Sequence, residues 1–157
     1  MRISVGLVLF LTAASAYAAV ANLTACTKAL RLALKTATKG TSFIQCKSDP
    51  EGSVAWTALA DNPDCKDYMF LTSKPQCEIA AAPLMKCVAG KLGYLNDDGS
   101  ISGTKFISKF KSYVTSKPGC DAAQYDFGVK KCGPKITNYT FLKKAACIVL
   151  FMNEYSG

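Results

Sequence analysis

The chain has 157 residues, half of them apolar, with 19 basic against 11 acidic side chains, no histidine and a formal charge of +8. The missing histidine excludes Ser-His-Asp and Cys-His catalysis, the histidine-calcium phospholipases and histidine-ligated zinc. The length suits one domain with a real core. All the cations are lysines except Arg2 and Arg31, which is not the arginine-rich balance expected of a nucleic-acid binder.

Met1-Arg2, an apolar run over 3–14 and the small-residue site Ala16-Tyr17-Ala18 read as a secretory signal peptide over residues 1–18. A second such site, Ala19-Val20-Ala21, allows cleavage as late as residue 21. What remains, 22–157, is read as a single secreted domain with a charge of +7 once Arg2 leaves. No later apolar run approaches the ~20 residues of a spanning helix. The longest, 145–152, suits a buried helix.

Residues 22–39 predict a helix with Leu23, Leu30, Leu34 and Ala37 on one stripe, Lys28, Arg31, Lys35 and Lys39 on another, and Gly40 as its stop. Residues 41–46 read as a short apolar connection. Ser48-Asp49-Pro50-Glu51 starts a second helix, carrying Val54, Trp56, Leu59 and Ala60. Asn62-Pro63 reads as the start of another, holding Cys65, Tyr68, Met69 and Phe70. After Lys74-Pro75 comes a helix with Cys77, Ile79 and 80–82, which Pro83 either kinks or ends.

The stretch 85–113 is the centre of the chain. An apolar helix bearing Cys87 stops at Gly93, the polar turn 96–100 follows, and a second helix places Phe106, Phe110 and Tyr113 at i, i+4 and i+7. Ser102 and Thr104 are its candidate caps. Past Lys117-Pro118-Gly119, residues 120–131 predict a weaker helix interrupted by Gly128, and 138–153 one that is apolar nearly all round. Strand signals are scarce. The expected fold is all-α: one disulfide-stapled helical domain of six to eight short helices.

The cysteines are Cys26, Cys46, Cys65, Cys77, Cys87, Cys120, Cys132 and Cys147. An even number in a secreted chain implies four disulfides, whose pairing sequence alone does not select. No C-x-x-C is present, so neither a metal nor any other cofactor is expected. Asn22-Leu23-Thr24 and Asn138-Tyr139-Thr140 are glycosylation sequons.

The turn around Gly99 imitates a calcium loop, with Asn96 and Asp98 at the third and fifth positions. It puts Tyr94 at the first and Lys105 at the twelfth, where a bidentate glutamate belongs, so it reads as a capping turn. Paired-carboxylate catalysis is the chemistry that survives the loss of histidine. In bulk the chain resembles a C-type lysozyme, but it lacks that family's C-x-x-x-C. Glu78, beside Cys77, is the one acid worth testing as a general acid. The acids are otherwise read as solvated surface, and no enzyme is expected.

Lys86-Cys87, Lys91-Leu92-Gly93-Tyr94, Asp97-Asp98-Gly99 and the helix through Phe106 and Phe110 resemble the middle of insect odorant-binding proteins. That resemblance implies a helical shell, held by interlocking disulfides, around a dry cavity for a small apolar ligand. Thr24-Ala25-Cys26-Thr27 and the segment from Ser42 to Asp49 are similar to the opening of oomycete elicitins, small helical sterol carriers. Both resemblances imply a carrier.

The function expected is therefore a secreted, monomeric carrier that encloses a small hydrophobic or amphipathic ligand. Its ligand contacts are expected from Trp56, Leu92, Phe106, Phe110, Phe141, Ile148 and Met152. The alternative is a secreted cationic toxin, effector or signalling protein acting through its lysine-rich surface on a receptor or membrane. No nucleic-acid partner is expected.

Overall fold

The computed structural model describes residues 23–157; the expected signal peptide and the Asn22 sequon lie outside the described residues. Within them are seven helices: α1 (Ala25–Ala37), α2 (Thr41–Lys47), α3 (Pro50–Asp61), α4 (Pro75–Lys91), α5 (Gly103–Thr115), α6 (Ala122–Cys132) and α7 (Phe141–Met152). The one β feature described is an isolated bridge between Leu95 and Ile101. No described helix is long and apolar enough to cross a membrane.

Local chemistry explains most boundaries. Thr24 caps α1 by accepting from the Thr27 amide at 3.1 Å, which starts the helix three residues later than its apolar stripe suggests. Asp49 caps α3 with Pro50 in the first turn, and Ser102 caps α5, as expected; Thr104 instead lies inside α5. Asp121 and Gln124 form a reciprocal capping box at the start of α6.

Three expectations are corrected. Residues 41–46 do not form a connection but belong to α2, whose one exposed and one buried side give it a core contact through Phe43 and Cys46. A span of seven residues is too short for its period to stand out from sequence. Residues 62–70 do not form a helix. The Asn62 side chain accepts from the Asp64 amide at 2.9 Å, offering the backbone a turn instead, and Phe70 has φ +59°. Finally, Gly128 does not interrupt α6. A Cβ there would come within 2.6 Å of the Ile148 carbonyl oxygen, so the glycine lets α6 and α7 approach closely.

Pro83 neither ends nor visibly splits α4, which runs through it to Lys91. The start of α7 shifts to Phe141 because Asn138 and Tyr139 both take positive φ, +48° and +55°. Leu150 is half exposed, so α7 is buried on most sides but not all.

The helices fall into two groups. α2, α3 and α4 pack on one another, with α3 and α4 the closest; α7 takes α6 on one side and α1 on another, and α5 rests on α6. Two disulfides lie within the first group (Cys46–Cys87 and Cys65–Cys77) and two within the second (Cys26–Cys120 and Cys132–Cys147). The first three nest inside one another along the chain rather than interlock. None crosses between the groups. The apolar core does, running continuously from Leu30 and Phe43 through Leu84 and Val88 to Phe106 and Ile148. Closing the 94-residue loop of Cys26–Cys120 removes about 4–5 kcal/mol of unfolded-chain entropy in the loop-closure account.

Candidate functional site

The site begins with the turn that ends α4. Leu92 is the C-cap, and Gly93 at φ +70° reverses the chain so that the Tyr94 amide donates to the Ala89 carbonyl at 2.9 Å. Ser102 then donates its amide to the Tyr94 carbonyl at 2.7 Å, closing the loop. Within it, the Asp98 carboxylate accepts from the Ser100 hydroxyl at 2.6 Å and the Ser100 amide at 2.9 Å, and these bonds hold its pKa below the usual range. The Lys105 ammonium donates to the Leu95 carbonyl at 2.7 Å. The loop satisfies itself as a capping turn.

This turn aims the Tyr94 ring at two others. It stands perpendicular to Phe106 at 5.4 Å between centroids and inclined to Phe141 at 5.3 Å. Phe106 stacks on Phe110 at 5.5 Å, and Phe110 on Tyr113 at 6.0 Å. Tyr125 meets Phe110 from below and anchors α6 to α5, its hydroxyl donating to the Ile107 carbonyl at 2.7 Å. Ring pairs of this kind contribute about 0.5–1.5 kcal/mol each beyond their burial, which gives the cluster a fixed shape.

Above these rings is a half-open cleft of about 300 Å³. Its floor is Phe106, Phe110 and Phe141, and its far wall is α1, through Ala33, Leu34 and Ala37. Leu92, Tyr94, Lys109 and Tyr113 form the rim, with Leu92 and Tyr113 more than a third exposed. The volume is at the lower end of the range for small-molecule pockets, ~300–1,000 Å³. The polar groups are few. Burial raises the pKa of the Tyr94 phenol, and the Lys109 ammonium donates to the Leu92 carbonyl at 3.0 Å.

Four of the seven residues singled out from sequence, Leu92, Phe106, Phe110 and Phe141, therefore meet around one cleft. Ile148 and Met152 do not line it; they are fully buried in the core behind it. Trp56 lies in the other helix group, beside a smaller cavity of about 180 Å³ with Leu59, Tyr68 and Phe70. Its ring is covered by the Lys47 ammonium, 3.6 Å from the centroid. Sequence reasoning missed Ala33, Lys109 and Leu142 on the cleft, and Tyr94 as one of its rings. The spacing of Phe106 and Phe110 does put Lys109 next to that face, and the K-L-G-Y turn does flag Tyr94.

Glu78, the general-acid candidate, is held in an ion pair rather than on the solvated surface. It is buried, accepts from the Lys143 ammonium at 2.6 Å and from the Lys74 amide at 3.2 Å, and so closes the start of α4. Lys143 and Lys144 sit with Lys135 around a second hollow, and Lys144 donates to the Cys132 carbonyl at 2.7 Å. Burial and then the neighbouring Lys143 lower the Lys144 pKa. A shallow apolar groove runs between α3 and α4 past Val54, Ile79 and Pro83. The basic stripe of α1 is solvated: Lys28, Lys35 and Lys39 are exposed and Arg31 is half-buried.

No protein-family model, curated protein or solved structure matches this chain.

Proposed function

We propose that this chain is a secreted carrier that binds one small hydrophobic or amphipathic molecule in the aromatic cleft between α1, α5 and α7. The supporting observation is the cleft itself: a hollow of about 300 Å³, apolar apart from its rim, on rings fixed by packing and by helices that disulfides tie together. Binding would remove an apolar ligand from water into a largely pre-formed site, with little ordering cost. Four disulfides suit an oxidising, extracellular compartment, and the exposed Asn138 is the glycan acceptor in this reading. The carrier acts as a monomer, and both family resemblances imply the same class of activity.

The test is fluorescence titration with N-phenyl-1-naphthylamine, comparing the mature chain with Ala33→Phe and Ala37→Phe. Each variant adds a ring to the α1 wall while leaving the aromatic floor intact. Lost or strongly weakened binding with an unchanged melting temperature is the expected result. Binding that ignores both fillings, or no binding by the wild type, would overturn the reading.

A second reading draws on α1. Lys28, Lys35 and Lys39 reach solvent, and neither ion pair found among the described residues involves them. A cationic effector or toxin would meet a receptor or an anionic surface there. It would lose activity on neutralising those lysines and on raising salt, and keep it when the cleft is filled.

A further inference from the structure

We infer that the ligand of the aromatic cleft carries one anionic group, which pairs with Lys109 while its apolar body lies on the rings. The inference rests on the carrier reading and adds the chemical class of the ligand. Among the residues lining the cleft Lys109 is the single charged one, and no carboxylate accompanies it.

The position of that charge is set by the fold. The Lys109 ammonium donates to the Leu92 carbonyl at 3.0 Å and lies 5.9 Å from the Tyr94 ring centroid. It occupies the space above Gly93, where a Cβ would come within 2.5 Å of it. The glycine that turns the chain out of α4 thus also makes room for the lysine head. An ammonium has three donors; one is used by Leu92, and two remain. A second cation, Lys117, stands 4.4 Å over the ring of Tyr113, a residue of the cleft's rim.

A neutral ligand would leave these donors to water. An anion at the rim makes a charge-assisted hydrogen bond with them and adds attraction to the mouth from solution. The hollow is far too small for a two-chain lipid, so the ligand class is a free amphiphile with an aromatic, alicyclic or short aliphatic body and one carboxylate, sulfonate or phosphate.

Two probes with the same ring skeleton test this directly: N-phenyl-1-naphthylamine, which is neutral, and 1-anilinonaphthalene-8-sulfonate, which adds a sulfonate. The readout is the ratio of their affinities for the mature chain. The wild type should favour the sulfonate, and the preference should shrink as salt rises. Lys109→Met should lower the ratio about five- to thirteenfold, between the upper end for an exposed ion pair and the lower end for a charged hydrogen bond. Lys130→Met, which removes one charge outside the cleft, should leave it near the wild-type value. An unchanged ratio in Lys109→Met, or an equal fall in both variants, would overturn the anionic ligand while leaving the carrier standing. Failure of both probes to bind the wild type would overturn the carrier itself.

Discussion

Glu78 of α4 and Lys143 of α7 meet at 2.6 Å across 65 residues of sequence, and among the described residues theirs is the ion pair that joins the two disulfide-bonded helix groups. Glu78 is almost wholly buried, whereas Lys143 keeps about a third of its side chain in water. Removing the lysine alone would strand a buried carboxylate. Lys143→Met is therefore expected to destabilise by about 3 kcal/mol, and the double variant Glu78→Gln, Lys143→Met by clearly less. Urea unfolding of the four proteins in the cycle measures the difference. Equal losses in the single and double variants would mean that the pair does not couple the groups.

The disulfides should differ in worth according to the loops they close. Cys26–Cys120 spans 94 residues and Cys65–Cys77 spans 12. Loop-closure entropy alone makes the long bridge more stabilising by about 2 kcal/mol. Paired Cys→Ala variants, compared by thermal melting, should show the larger fall for Cys26 and Cys120.

Alkaline pH should unfold the protein. Burial raises the Tyr68 phenol to about 12, helped by the charge of Glu78, and raises Tyr94 and Tyr125 as well. Above pH ~10 the unfolded chain gives up phenolic protons that the native chain keeps, so stability falls as pH rises. Lys144, whose pKa is lowered, acts in the opposite sense below its unfolded value, but as one lysine against three phenols. Tyrosinate absorbance and circular dichroism followed together should show three protons held back until helix is lost. Release of all the phenols before any loss of helix would contradict the burial.

Gly93→Ala should strain the turn at two points. Its φ of +70° disfavours any side chain by about 1–2 kcal/mol, and the new Cβ would displace the Lys109 ammonium. A lower melting temperature is expected together with a weaker preference for the sulfonate probe. A variant that melts lower yet keeps the full preference would separate the turn from the cation.

Much of the fold was legible because the signals were redundant. α1 and α5 combine an apolar stripe (Leu30 and Leu34, Phe106 and Phe110) with a capping residue (Thr24, Ser102), and both formed close to where pattern and cap agree. α2 has neither length nor a side-chain cap, and 62–70 has helical composition but an asparagine that bonds its own backbone, so pattern misleads at both. The cleft was legible only by halves. Phe106, Phe110 and Phe141 were visible as inward-facing aromatics, but inward-facing does not mean cavity-facing: Ile148 and Met152 share α7 with Phe141 and fill the core. Ala33 and Leu34 could not be assigned to the wall, because that depends on which helix α1 packs against, a tertiary fact without a local signature.

The claim that this cleft is a ligand site is tested most directly by mapping amide shifts. Two-dimensional nitrogen–proton spectra of the labelled 22–157 chain, recorded while N-phenyl-1-naphthylamine is added, report every contacted segment at once. Saturable shifts gathered at Leu92 to Tyr94, Phe106 to Tyr113 and Phe141 to Ala145 are the predicted result. Shifts gathered instead along Val54 and Ile79, or no shifts at all, would contradict it.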